Sequence, residues 1–320
     1  MKKTTSTQLT VGLAQVAPVW LQRDATLEKV TEYVAKAAAD GCRLVAFGEA
    51  LVPGYPFWVE RTDGARFDSA VQKSLYAHYV AQGVDIDAGD LGPVCTVAKT
   101  KKIAVYLGVM ERAADRGSHS LYCSMVYIDA DGRIASVHRK LMPTYEERLV
   151  WAMGDGHGLR THKLGAFTLG GLNCWENWLP LARASLYAQG EDLHVAIWPG
   201  SRRNTSDITR FIAREGRCYV MSVSGLMRAS DIPAGLPQHE LLTSTADALM
   251  ADGGSCLADP SGEWILEPEC GKERLRIATI DLSKVLEERQ NLDVAGHYSR
   301  PDVTRLSVDR RRQATAEFSD

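Results

Sequence analysis

Short apolar segments with strand character alternate with amphipathic helical segments along almost the whole chain of 320 residues. The segments 9–16 and 44–47 are of the first kind. Between them, apolar residues recur at helical spacing, which predicts a helix that begins after Asp24 as its N-cap. The same order repeats through the second half of the sequence. Strands interleaved with helices, without a connecting linker, predict an α/β layered fold.

Domain organisation follows from the same pattern. No stretch rich in proline, glycine or serine divides the sequence, so residues 1–300 are predicted to form a single domain. Residues 301–320 are polar and lack a core pattern. They are predicted to form a C-terminal tail that docks on a neighbouring subunit.

Composition excludes several classes of partner and site. The 37 lysines and arginines against 40 acidic residues leave no basic footprint for nucleic acid. The apolar runs are far shorter than the roughly 20 residues that cross a bilayer, so no membrane partner is expected. Lys2 and Lys3 precede polar residues rather than a signal sequence, and the 7 cysteines show no C-x-x-C spacing. These features predict a cytoplasmic protein. The sequence has no G-x-x-x-x-G-K-[ST] motif and no complete dinucleotide fingerprint, and the spacing of His157 and His162 is weak evidence for zinc, so neither a cofactor nor a metal is expected.

Three chemically reactive side chains stand where predicted apolar strands end: Glu49, Lys140 and Cys174. Functional groups gather at strand ends because the sheet holds the adjoining loops rigidly. An ammonium beside a thiol lowers the thiol pKa, and a desolvated carboxylate can act as a general base near neutral pH. From spacing alone, the alternatives of a helix cap, a surface charge and a packed thiol stay open.

The sequence segments around these residues give further evidence of function. The segments are FGEALVPGYP at 47–56, HRKLMPT at 138–144, GGLNCWEN at 170–177 and the late DVAGHYSRPD at 293–302. In this order they resemble the signatures of the nitrilase superfamily of carbon–nitrogen hydrolases. The sequences of 174–177 and 293–302 resemble those of the nitrilase branch of this superfamily.

The resemblance implies a fold and a set of catalytic residues. The fold is an α-β-β-α sandwich in a single carbon–nitrogen hydrolase domain. Glu49, Lys140 and Cys174 would be the catalytic triad, with Glu147 as a fourth polar residue and Glu146 as its less favoured neighbour. The backbone N–H of Trp175 would help Lys140 to stabilise developing negative charge.

The implied reaction converts an organic nitrile into a carboxylic acid and ammonia through a cysteine-bound thioimidate and thioester. The alternatives are a cyanide dihydratase or an aliphatic amidase of the same superfamily, and, more remotely, a non-catalytic scaffold. Tyr55, Trp58 and Trp198 stand on loops that should border the site, although aromatic residues often belong to the core. They are the predicted substrate pocket.

Assembly is predicted from one helical segment and from the family. The segment 179–189 follows the nucleophile and carries apolar or small residues on most of its circumference. A monomer would leave part of this surface exposed to water. Together with the pairing typical of the family, this predicts a homodimer or a larger homo-oligomer.

Overall fold

The computed structural model describes residues 6–245, 248–316 and 319. Residues 1–5, with Lys2 and Lys3, lie outside the described part, as do residues 317, 318 and 320 of the predicted tail. The strands of the described residues are β1 (Gln8–Gln15), β2 (Leu44–Phe47), β3 (Ala104–Arg112), β4 (Leu121–Ile128), β5 (Ile134–Arg139), β6 (His162–Leu164), β7 (Phe167–Asn173), β8 (Leu193–Trp198), β9 (Tyr219–Ser224), β10 (Leu226–Arg228), β11 (Leu249–Ala258), β12 (Trp264–Cys270) and β13 (Arg274–Asp281). The α-helices are α1 (Arg23–Ala39), α2 (Trp58–Arg61), α3 (Ala70–Ala81), α4 (Gly92–Lys101), α5 (Pro180–Tyr187), α6 (Arg202–Gly216), α7 (His239–Thr245) and α8 (Leu282–Arg289).

The strands form two sheets. The first has the order β13-β1-β2-β3-β4-β5, and the second has the order β10-β11-β9-β8-β7-β6, with β12 paired to β11. Parallel pairs stand at the centre of each sheet: β1 with β2 and β2 with β3 in the first, β7 with β8 and β8 with β9 in the second. Strands in such positions are covered on both faces, which explains their nearly continuous apolar sequences.

Side chains that alternate along each strand build separate layers of core. In β2, Leu44 and Ala46 pack between the two sheets, whereas Val45 and Phe47 pack outward against α1 and α4. On the other side, Ala196 and Trp198 of β8 pack outward, in a cluster with apolar residues of α6. The layers therefore run helix, sheet, sheet, helix, and the predicted α-β-β-α sandwich is confirmed.

Most predicted elements agree with the structure to within a few residues, but the predicted cap of α1 is wrong. Gln22 occupies the N-cap position, and its side chain makes no capping bond. Asp24 lies inside the first turn, where it forms an ion pair with Arg23 at 2.8 Å. A carboxylate in the first turn stabilises the helix through its dipole, so the residue type indicated a helix start but misplaced it.

The tail contacts the body of its own chain beyond residue 307. Arg312 bonds to Asp155 and to the carbonyl of Val137, each at 3.0 Å. Residues 301–307 are exposed. In the described part of the chain, every helix is too short or too polar to cross a membrane.

Candidate active site

Glu49, Lys140 and Cys174 meet at one edge of the two sheets. Glu49 follows β2 and Lys140 follows β5, and these strands point the same way because β4 is antiparallel to both β3 and β5. Cys174 follows β7 of the second sheet. The N–H of Glu49 donates to the carbonyl of Trp198 at 3.0 Å, which joins the sheets beside the site.

Close backbone packing supports this position of Glu49. A Cβ atom on Gly108 of β3 would lie 2.2 Å from the carbonyl oxygen of Gly48 and 2.7 Å from the Cα of Glu49. Neither distance is sterically possible, so a glycine at position 108 lets the backbone of the site pass against β3.

Lys140 is the centre of the site. Its Nζ lies 2.9 Å from Oε1 of Glu49 and 2.7 Å from Oε2 of Glu147. Side-chain ligand atoms of Glu49, Glu147 and Cys174 all lie within 4.8 Å of one another. Each of the four residues is at most 2% exposed. The structure therefore brings the four predicted catalytic residues together in a site closed to bulk water, and their catalytic roles stay a prediction.

Glu147 is held by its own turn. It belongs to the 3₁₀ helix Tyr145–Leu149, and its Oε2 accepts the backbone N–H of Thr144 at 2.6 Å in a capping box. Its Oε1 accepts the hydroxyl of Tyr55 at 2.8 Å. Glu146, the less favoured neighbour, is half-buried and lies 3.5 Å from the same hydroxyl.

Cys174 adopts a backbone conformation that few side chains occupy. Its φ is +48°, at the first residue of the 3₁₀ helix Cys174–Trp178. Such a residue costs on the order of 1–3 kcal/mol and persists only where its surroundings enforce it. Here Asn177 donates from Nδ2 to the carbonyl of Cys174 at 2.7 Å, and Nε2 of His194 lies 2.7 Å from Oδ1 of Asn177. The turn directs the thiol toward Lys140 and Glu49.

Glu176 has a structural function that was not predicted from the sequence. This buried carboxylate accepts the backbone N–H of Asn173 at 2.9 Å and that of Leu141, and it pairs with His138 at 3.0 Å. It thereby ties the residue after Lys140 to the residue before Cys174, across the two sheets. The spacing Asn173-x-x-Glu176, typical of a capping box, was a signal for half of this arrangement.

Burial dominates the electrostatics of the nucleophile. Burial and the charge of Glu49 raise the pKa of the Cys174 thiol well above its ordinary value, although Lys140 and the backbone N–H of Trp175 lower it. Lys140 lowers the pKa of the thiol as predicted, but desolvation outweighs this single positive charge, so the net shift is upward. Cys174 rests as a neutral thiol and needs a base.

Glu49 has the properties of that base. Burial raises the pKa of Glu49 to about 7, against the lowering effect of the Lys140 ammonium and with a further increase from Glu147. Its Oε2 is buried and has no hydrogen-bond partner among the described residues. Burial lowers the pKa of Lys140, but the acidic groups around it, Cys174, Glu49 and Glu147, raise it well above the usual range, so Lys140 stays an ammonium.

The aromatic residues of the predicted pocket occupy different environments. Tyr55 contacts the site through Glu147, whereas Trp58 is 1% exposed and packs edge-on against Tyr79. Trp198 is fully buried in the same cluster as Cys174. Substrate contact by all three stays a prediction.

Trp151 is a further aromatic residue beside the site, and it was not predicted from the sequence. Its ring lies 5.8 Å from Nζ of Lys140 and meets the ring of Tyr55 edge-on at 5.6 Å. It is buried, so it forms an apolar wall beside the ammonium. No spacing in the sequence marked it, because it reaches the site from the far end of the 3₁₀ turn.

The carboxylates and thiol of this site also have the composition of a metal site. Among the described residues, one group could offer three ligand atoms to a metal ion: Glu49, Glu147 and Cys174. The ammonium of Lys140 bonds to both carboxylates and already supplies the balancing positive charge. The geometry therefore fits a lysine-centred site better than a metal centre.

Comparison with known proteins assigns the family. The sequence profile of the carbon–nitrogen hydrolase family matches residues 10–290. The chain belongs to this family. A protein named Nitrilase 2, from an unknown prokaryotic organism, is 36% identical over 98% of this chain and 96% of its own length. An aliphatic nitrilase of Sinorhizobium fredii is 34% identical over 95% and 96%. The carbon–nitrogen hydrolase described here therefore belongs to the nitrilase branch, as its motifs predicted.

A solved structure supports the fold independently. A superfamily protein from Xanthomonas campestris aligns with a TM-score of 0.66 at 16% identity, over 90% of this chain and 96% of its own. At that identity the likeness concerns the fold alone. It confirms the α/β sandwich of the hydrolase domain.

Proposed function

We propose that this protein is a nitrilase that hydrolyses an organic nitrile to a carboxylic acid and ammonia. The observation that carries the proposal is the buried thiol of Cys174 beside an unpartnered oxygen of Glu49 and a lysine ammonium. A soft, strongly nucleophilic sulfur suits the weakly electrophilic carbon of a nitrile. The names of the relatives described above support a nitrile over other carbon–nitrogen substrates.

The first step adds the thiol to the nitrile. Glu49 takes the proton of Cys174 as the sulfur attacks carbon, and it passes this proton to the nitrogen, which gives a neutral thioimidate. Negative charge that develops on nitrogen is stabilised by Lys140 and by the backbone N–H of Trp175. Donors of this kind are worth about 2.7–4 kcal/mol each.

The later steps consume two waters. Glu49 removes a proton from the first water, which adds to the thioimidate carbon, and gives this proton to the nitrogen. It then transfers the hydroxyl proton of the tetrahedral intermediate to the nitrogen as well, so the carbonyl forms, the carbon–nitrogen bond breaks and ammonia leaves. The thioester that remains is hydrolysed by a second water, which releases the acid and restores the thiol. Glu147 holds the ammonium of Lys140 in place throughout, through the 2.7 Å contact.

A substrate panel tests the proposal. Purified protein is incubated with aliphatic, aromatic and arylaceto nitriles, with the corresponding amides and with cyanide, while ammonia is measured. Release from nitriles supports the nitrilase. Faster release from amides or from cyanide would favour the amidase or the cyanide dihydratase, and no release from any compound would favour a non-catalytic scaffold.

The rate is expected to depend on pH through Glu49. A base must be deprotonated, so kcat/KM should fall about tenfold for each pH unit below the pKa of Glu49, which burial raises to about 7. The measurement is the rate of ammonia release between pH 5 and pH 9 at constant ionic strength. An acid limb centred near pH 4.5 instead would show an unperturbed carboxylate and would contradict the role of Glu49.

We propose that the protein works as a homodimer or a larger homo-oligomer. Five exposed apolar residues lie on the nucleophile turn and on the two helices that contact it, α5 and α6: Trp175, Trp178, Leu179, Leu181 and Phe211. Exposed apolar residues that cluster in this way are typical of a protein–protein interface. The exposed tail residues 301–307 are the part of the chain that we expect to reach the partner.

Leu181→Glu tests the assembly. Leu181 is 69% exposed, so a glutamate there should fold normally yet introduce an unpaired charge at the interface. Smaller particles in light scattering and reduced turnover are expected. Leu286→Glu, a change at a similarly exposed leucine on α8, is the matched control. An active monomer of about 35.1 kDa for the unmodified protein would end this proposal.

The cytoplasm is the proposed location. All 7 cysteines are free thiols. Free thiols persist in a reducing compartment, whereas oxidising compartments favour disulfides.

A further inference from the structure

A second buried thiol lies against the carboxylate of Glu49. Sγ of Cys123 on β4 is 3.3 Å from Oε1 of Glu49, and Cys123 is 1% exposed. Its carbonyl accepts the backbone N–H of Lys140 at 2.7 Å. Cys123 therefore contacts two predicted members of the triad, although it lies outside the segments that resemble the family signatures.

The direction of this hydrogen bond follows from protonation. Burial, and then the charge of Glu49, raise the pKa of the Cys123 thiol well above its ordinary value, so the sulfur keeps its proton. An ionised carboxylate has no proton to donate. The S–H of Cys123 must therefore be the donor and Oε1 of Glu49 the acceptor.

The two oxygens of Glu49 consequently differ. Oε1 accepts from Cys123 and from Nζ of Lys140, at 3.3 Å and 2.9 Å. Oε2 is buried and has no partner among the described residues. One oxygen is anchored by two donors, and the other is left with its lone pairs free.

We propose that Cys123 is a positioning residue for the general base: its thiol anchors Oε1 of Glu49 and leaves Oε2 as the oxygen that takes the proton of Cys174. This inference rests on the proposed nitrilase function, in which Glu49 is the base. Cys174 rather than Cys123 is assigned as the nucleophile, because Cys123 lies within β4 whereas Cys174 begins the 3₁₀ turn that follows β7. Cys174 also faces the backbone N–H of Trp175.

The hydrogen bond also sets the acidity of Glu49. A donor to the charged form of a carboxylate lowers its pKa, and Cys123 has this effect on Glu49. Removing the donor should therefore move the acid limb of the rate profile to higher pH. The other titratable or charged groups that act on Glu49, all left in place by the substitution, are Lys140, Glu147, Cys174, Tyr55 and Tyr79.

Three substitutions at Cys123 separate hydrogen bonding from packing. Cys123→Ala removes the donor, Cys123→Val removes it but keeps the volume, and Cys123→Ser keeps a hydroxyl donor. Cys256→Ala is the matched control, because Cys256 is an equally buried thiol that bonds to Thr209, at 3.5 Å. Thermal unfolding shows which variants keep the fold, and Cys123→Val gives the answer if the alanine variant does not.

The measurement is kcat/KM for ammonia release against pH. Cys123→Ala and Cys123→Val should shift the acid limb upward by about 0.5–1 pH unit, which lowers the rate about 3- to 10-fold on that limb. Cys123→Ser should stay within about 0.3 unit of the unmodified protein, and Cys256→Ala should not shift. An unshifted limb in the alanine and valine variants, or the same shift in the serine variant, would overturn the proposal.

A substrate-free readout keeps this inference separate from the proposed function. The rate at which iodoacetamide alkylates Cys174, followed by mass spectrometry of its peptide, reports deprotonation of the thiol by its neighbouring base. The same upward shift in Cys123→Val is expected there. A shift in alkylation without hydrolysis of any nitrile by the unmodified protein would refute the function alone. Nitrile hydrolysis without a shift would refute the role of Cys123 alone.

Discussion

Replacement of Cys174 by alanine is expected to lower ammonia release from nitriles by on the order of 10⁴-fold or more, because no covalent intermediate can form without the sulfur. Cys174→Ser should be nearly as inactive, since a hydroxyl is a much weaker nucleophile at neutral pH. Glu49, the base that would have to deprotonate this hydroxyl, has a pKa of only about 7. Neither change removes more than one heavy atom from the core, so the fold should persist.

The control for the Cys174 variants is a substitution at another buried thiol. Cys256→Ala also truncates a buried cysteine and should retain normal turnover. Circular dichroism and thermal unfolding check that each variant is folded. Near-normal turnover in folded Cys174→Ala would refute the assigned nucleophile, and with it the proposed mechanism.

Lys140 is the position at which substitution should affect activity and stability together. Lys140→Arg keeps the charge, but a planar guanidinium is wider than the ammonium that now lies 2.9 Å and 2.7 Å from two buried carboxylates. Turnover below a tenth of that of the unmodified protein is expected. A higher rate would mean that Lys140 acts only as a positive charge and does not stabilise negative charge on the substrate by hydrogen bonding.

Lys140→Met removes the charge and nearly keeps the volume. Glu49 and Glu147 then share a buried site without a counterion, which should cost about 3–5 kcal/mol of unfolding free energy. Without the ammonium, the pKa of Glu49 in the folded state, which burial already raises to about 7, should rise further above its unfolded value. The native state would then bind the extra protons, so the loss of stability should be small at pH 5 and large at pH 8.

Chemical denaturation at both pH values measures this effect. Lys102→Met, at an exposed lysine, is the control and should change little. Equal loss of stability at pH 5 and pH 8 would show that the carboxylates do not depend on the ammonium.

The local sequence predicted helices and strands well in segments where the apolar residues follow a single clear periodicity. The ends predicted for β2, β5 and β7 agree with the structure. Glu49, Lys140 and Cys174 follow these strands within two residues, and all three are buried. Asp24 was misplaced because an acidic residue is favourable both as an N-cap and within the first turn.

The sequence by itself determined the strands, the layered class, and the residue types and order of Glu49, Lys140 and Cys174. Tertiary structure decided what these groups do to one another. The net pKa direction of Cys174, the anchoring of Glu49 by Cys123 and the tie formed by Glu176 all depend on distances between segments far apart in the chain. Periodicity reports the environment of each residue relative to its own helix or strand. Burial and charge interactions are sums over neighbours in space, and only the packing of the two sheets specifies those neighbours.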